Sequence, residues 1–142
     1  MKNSIILLAV MLTAAFANAQ KIQDKDVPAT VKTALQNKYP QAKELKWEKE
    51  NGNYEAEFEV SETDYSVLLD ASGNILETEI EIKLDELPAN AKEYVSKNHS
   101  GQKIKEAAKI TDAKGTITYE AEIKGTDLIF DSNGNFIKKV KE

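Results

Sequence analysis

Tyr54-Glu55-Ala56-Glu57-Phe58 comes back 65 positions later as Tyr119-Glu120-Ala121-Glu122-Ile123. In both copies every second residue is apolar and the residues between are acidic. A period of two marks a β-strand with one buried and one wet face. The matter on either side of the stretch also recurs, so the chain reads as one structural unit written twice.

Upstream of the first copy, Val27, Val31, Leu35 and Tyr39 recur every four residues with Ala34 beside them, which predicts one apolar stripe of an amphipathic helix. Asp24 or Asp26 is placed to cap it, and Pro28 suits its first turn. Pro40 ends it, because the residue before a proline resists helical geometry. Gln20 to Asp26 is polar and reads as a loose lead-in. Strands are then expected at Leu45 and Trp47, at Tyr54 to Val60, at Tyr65 to Leu69 and at Leu76 to Ile82. Asn51-Gly52 is a tight hairpin signal, since both residues tolerate positive φ. Further turns fall near Glu62 to Asp64 and at Asp70-Ala71-Ser72-Gly73-Asn74.

The second copy opens with Leu87-Pro88-Ala89, the counterpart of Val27-Pro28-Ala29. Ala91, Tyr94 and Val95 form its helical stripe, and Gly101 is a natural stop. Ile104, Ala108 and Ile110 fall at strand spacing, Lys114-Gly115 and Gly125-Thr126 mark turns, and Asp131-Ser132-Asn133-Gly134-Asn135 matches Asp70 to Asn74. The expected fold class is α+β: two tandem repeats, 27–82 and 87–142, each a helix followed by a four-stranded antiparallel meander, with the helices on one face of the sheet. The short lead between them, Lys83 to Glu86, favours one continuous body over two tethered ones.

The N-terminus carries a different pattern. Lys2 precedes an uncharged apolar run from Ile5 to Phe16, and Ala17-Asn18-Ala19 is a small-x-small site. This predicts a signal peptide over 1–19, cut after Ala19, and a mature chain, 20–142, that is periplasmic or secreted. The apolar run is shorter than the ~20 residues a bilayer-spanning helix needs, so no transmembrane anchor is expected in the mature chain.

Composition excludes several function classes. A formal charge of −5 argues against a general nucleic-acid binder. All 19 basic residues are lysine, which removes the bidentate recognition that arginine supplies. There is no cysteine, hence no disulfide and no thiolate chemistry, and the one histidine, His99, cannot build a histidine metal cluster. No cofactor fingerprint and no nucleophile motif is present, so an enzyme is not expected.

The ordered motifs together resemble the PepSY-like (β-lactamase-inhibitor-like) family of exported bacterial proteins. The resemblance rests on the apolar N-terminal segment, the paired openings VPATVKTALQNKYP and LPANAKEYVSKNHS, and Trp47 in the first strand. It rests equally on the paired YEAEF and YEAEI strands and the paired turns LLDASGNIL and IFDSNGNFI. It covers essentially all of 20–142. It implies a tandem α+β domain, a periplasmic or secreted place, and a role in binding or restraining another protein. It brings no catalytic residues with it.

The candidate partner-binding face is the acidic one: Glu55, Glu57 and Glu59 on one strand and Glu77, Glu79 and Glu81 on another, with Trp47 as an aromatic candidate should its strand lie at an edge. Such a face suits a cationic protein segment or a divalent cation. A solvated face that keeps the sheet soluble accounts for the same residues. The leading function is a non-enzymatic binding or inhibitory module acting on an envelope or secreted protein. The alternatives are a divalent-cation or small-ligand binder and a structural envelope protein, and the oligomeric state is open. Asp70-x-Ser72-x-Asn74 and Asp131-x-Asn133-x-Asn135 look like the start of a calcium loop. Such a loop needs glycine at its sixth position, where Ile75 and Phe136 stand, so both read as hairpin turns.

Overall fold

A computed structural model describes residues 19–141; the expected signal segment falls, except for Ala19, outside the described residues. These residues form two α-helices and nine β-strands and divide into two units. The first takes Ile80 and the residues before it, with Thr111–Thr116; the second takes Glu81–Ile110 and Ile117 onward.

In the first unit β1 (Gln20–Ile22) leads into α1 (Ala29–Lys38), and then come β2 (Lys43–Glu50), β3 (Asn53–Val60), β4 (Thr63–Leu69) and β5 (Ile75–Glu81). Strand order follows chain order and each pair is antiparallel. The second unit holds α2 (Ala89–Asn98) and strands β6 (Glu106–Asp112), β7 (Ile117–Ile123), β8 (Thr126–Asp131) and β9 (Phe136–Lys141), again neighbours in chain order.

Each helix packs its stripe on one face of its own strands. Val31 and Leu35 of α1 join Trp47, Ala56, Phe58, Val67 and Leu69 in one buried cluster. Ala91 and Val95 of α2 join Ala121, Ile123, Leu128 and Phe130 in another. Burying each large side chain contributes about 2 kcal/mol before the entropy of ordering the chain is subtracted.

The N-terminal lead-in differs from the expectation. Gln20–Ile22 is not loose: it pairs with Lys49–Trp47 as a fifth strand of the first unit, too short and too polar to announce itself. Nor does an aspartate cap α1. Asp24–Asp26 close a 3-10 turn, Pro28 occupies the N-cap with no side-chain cap, and Asp24 instead pairs with Lys32 at 2.9 Å. Leu84–Glu86 and Pro88 repeat this arrangement ahead of α2.

Turns fix the register. Asp70 Oδ1 accepts hydrogen bonds from the N–H groups of Ser72 and Asn74, both at 2.9 Å, while Asn74 Nδ2 donates to Oδ2. Asp131 does the same with Asn133 and Asn135. With these carboxylates engaged by N–H donors, both sites are hairpin turns. A third member, Asp112 receiving Lys114 and Thr116, joins β6 to β7. After the first two turns the register slips by one residue, between Leu68/Leu69 and between Ile129/Phe130, so a bulge is also written twice.

The tip between β3 and β4 is strained. Ser61 and Glu62 both take positive φ, 51° and 65°, in a two-residue loop closed by the Val60–Thr63 pair. That geometry favours Asn-Gly, and a β-carbon in the left-handed region costs about 1 kcal/mol. Glu62→Gly is therefore expected to raise the urea midpoint, by about 1 kcal/mol of stability.

Candidate binding surface

Counting outward from the Asn51-Gly52 turn pairs Glu50 with Asn53, Lys49 with Tyr54, and Glu48 with Glu55. Residues directly opposite share a face of the sheet. One row across the first unit is therefore Ile22, Trp47, Ala56, Val67 and Thr78, the helix-facing row. The next row, on the other face, is Lys21, Glu48, Glu55, Leu68 and Glu77. Beyond it run Lys46, Glu57, Ser66 and Glu79, then Lys43, Glu59 and Asp64.

The acidic face thus exists, and the structure brings Glu55, Glu57, Glu59, Glu77 and Glu79 together on it, with Glu81 farther along β5. Its character differs from the expected solvated surface. Glu55 is 6% exposed, Ser66 4% and Glu79 1%, while Glu48, Glu57, Glu59, Asp64, Glu77 and Glu81 are half-buried. Trp47 does not belong to this face. It is 4% exposed and stands in the core beneath α1, where alternation with Lys46 and Glu48 places it.

Shelter changes the chemistry of these groups, because removing a carboxylate from water disfavours its charged form. Burial pushes Glu55 up to about 7, with Glu57, Glu48 and Glu50 adding repulsion. The Ser66 hydroxyl, which donates to Glu55 Oε1 at 2.6 Å, works in the opposite direction. Burial, then Glu48, raises Glu57, although Lys46 and Lys21 oppose this. Burial, then Glu44, raises Asp64. Among the described residues neither Glu57 nor Glu59 closes an ion pair.

Glu48, Asp64 and Ser66 complete the face and were not among the sequence candidates. The signal for Glu48 was present in the Asn51-Gly52 turn, whose two-residue loop dictates the Glu48–Glu55 pairing. In the second unit the corresponding face is mixed. Glu120 stands opposite Ile129, itself opposite Lys138, and Glu122 opposite Asp127 and then Val140. Glu122 also meets Lys105 at 3.3 Å. His99 caps α2 at its C-terminus, its N–H donating to the Val95 carbonyl at 2.8 Å. Among the described residues no three His, Asp or Glu side chains converge to hold a metal ion, and no helix is long and apolar enough to cross a membrane.

A fold of tandem helix-on-strand units defines a class of small α+β modules. A family model described as "Putative beta-lactamase-inhibitor-like, PepSY-like" matches twice, over residues 16–77 and 62–138, and the chain belongs to this PepSY-like family as a tandem repeat. No curated protein matches the chain. Solved structures share its fold. A DUF2874 family protein from Bacteroides uniformis is 20% identical, with a TM-score of 0.70, over 80% of this chain and 88% of that one. A protein from Bacteroides eggerthii, described as periplasmic, is 17% identical with a TM-score of 0.73, over 81% of this chain and 88% of that one. A BLIP-like protein from Bacteroides fragilis is 21% identical with a TM-score of 0.64, over 80% and 86%.

Proposed function

We propose that the chain is an exported, non-enzymatic binding module that holds and restrains an envelope or secreted protein, and that it grips a basic segment of that protein on the acidic face of β2–β5. The observation that carries this reading is the row geometry: carboxylates from adjacent strands stand opposite one another, half out of water, with burial working against their charge. A lysine-rich segment laid across them adds counter-charge to that of Lys21, Lys43 and Lys46 in the same rows, and its gain is larger in a sheltered site than on an open surface. The family's inhibitor-like description and the periplasmic description of the B. eggerthii protein agree with export and restraint.

The test uses residues 20–142 and a variant carrying Glu57→Gln, Glu59→Gln and Asp64→Asn. These groups are half-buried, so the fold survives their neutralisation. A lysine-rich peptide is titrated calorimetrically against both, and both serve as bait for an envelope extract. The variant is expected to bind the peptide about tenfold more weakly and to lose the captured protein. Equal binding by the two forms, or none by either, would remove the acidic face from the reading.

A further inference from the structure

We propose that β9 is an acceptor edge for an extended acidic peptide, which adds to it as a further strand. β9 stands last in the order β6-β7-β8-β9, hydrogen-bonded to β8 on one side, with no strand beyond it among the described residues. Its sequence is Phe136-Ile137-Lys138-Lys139-Val140-Lys141, and it is open to solvent: Phe136 is 36% exposed and Ile137 51%. Among the described residues none of its three lysines closes an ion pair.

An open edge invites any strand, a second copy of this chain included, and lysines are a common guard against that. Here the guard is selective. If two β9 strands pair antiparallel along their full length, Lys138 falls opposite Lys139 at two places; if they pair parallel in register, every lysine flanks itself. Like charges directly opposite are destabilising. Full-length pairing of β9 with its own copy is therefore disfavoured, while the same lysines favour a strand bearing carboxylates. Lys139 and Lys141, opposite Leu128 and Thr126, lie on the helix-facing side, and Lys138 and Val140 on the other. The fitting partner carries acidic residues at alternate positions against Lys139 and Lys141, and an apolar side chain between them against Val140. In strand addition main-chain hydrogen bonds supply affinity and alternate side chains supply specificity. β1, at the edge of the first unit, offers only three residues for such pairing. This acceptor edge is basic and lies in the second unit, so it does not depend on the acidic face proposed above.

The experiment is fluorescence anisotropy of residues 20–142 with a short labelled peptide of alternating glutamate and valine. Two controls accompany it: the same peptide with lysine for glutamate, and the acidic peptide N-methylated at alternate amides, which keeps its charge and loses its strand-pairing donors. The acidic peptide is expected to bind and to protect β9 amides from hydrogen exchange. Both control peptides, and the double variant Lys139→Glu/Lys141→Glu, should weaken binding about tenfold or more. Equal binding of the N-methylated peptide would reduce the effect to charge attraction and overturn the proposal, as would no preference for the acidic peptide over the lysine one. The N-methyl comparison uses the unaltered protein, so it decides even if the double variant misfolds.

Discussion

The unfolding free energy is expected to rise by about 2–3 kcal/mol as the pH falls from about 8 to about 5, the reverse of a protein held by salt-bridged carboxylates. Glu55 is the main source. Its folded pKa is about 7 against an ordinary 4.5, so the folded chain holds a proton that the unfolded chain has released. The stabilisation is complete below the unfolded value, fades as the pH climbs through the folded one, and amounts to about 1.4 kcal/mol for each pH unit between them. Glu57 and Glu50, also raised by burial and by Glu48, push the same way. Asp70, Asp112 and Asp131, held below the usual carboxylate range by turn hydrogen bonds, act oppositely, but only as the pH drops below about 4. Stability should therefore peak on the acid side of neutrality. Urea unfolding of the parent and of Glu55→Gln across this range checks it. The variant should have a nearly flat profile and be the more stable form at the alkaline end, and a flat profile in the parent would contradict the assignment to Glu55.

Gly134→Ala is expected to cost about 2–4 kcal/mol. Gly134 has φ of +83°, and an added Cβ would lie 2.8 Å from the Ala91 nitrogen and 2.8 Å from the Pro88 Cβ, both fixed by the start of α2. The left-handed backbone accounts for about 1 kcal/mol and the forced displacement for another 1–3 kcal/mol. Gly115 supplies the control: its φ is also +83°, yet nothing lies within 4 Å of the same added atom. Gly115→Ala should lose only about 1 kcal/mol, and equal losses in the two denaturation midpoints would show that the turn does not bear on the helix.

Both effects mark the limit of what the sequence displayed. The strands were legible because alternation survives in the letters, and the helices because Val31, Leu35, Ala91 and Val95 sit at helical spacing after a proline. Alternation tells which residues share a side but not whether that side is wet, so Glu55 and Glu79 read as exposed although they are buried. Trp47 alternates with Lys46 and Glu48, which already assigns it to the apolar side; the register with Ala56 makes this explicit. β1 was missed because three residues carry no period. The contact of Gly134 with α2 was invisible for another reason: it joins residues over forty positions apart, and no local pattern encodes such a distance.

That long-range contact occurs twice. The Thr30 hydroxyl donates to the Ala71 carbonyl at 3.1 Å, and the Asn90 amide donates to the Asn133 carbonyl at 3.0 Å, across separations of 41 and 43 residues. Each helix is therefore latched by the last turn of its own repeat. A chain emerging N-terminus first makes α1 and must hold it unlatched until Ala71 follows. It then waits again with α2 until Asn133 appears. Trimming the C-terminal hairpin would thus leave the second helix without its latch, whereas the first repeat would already have closed.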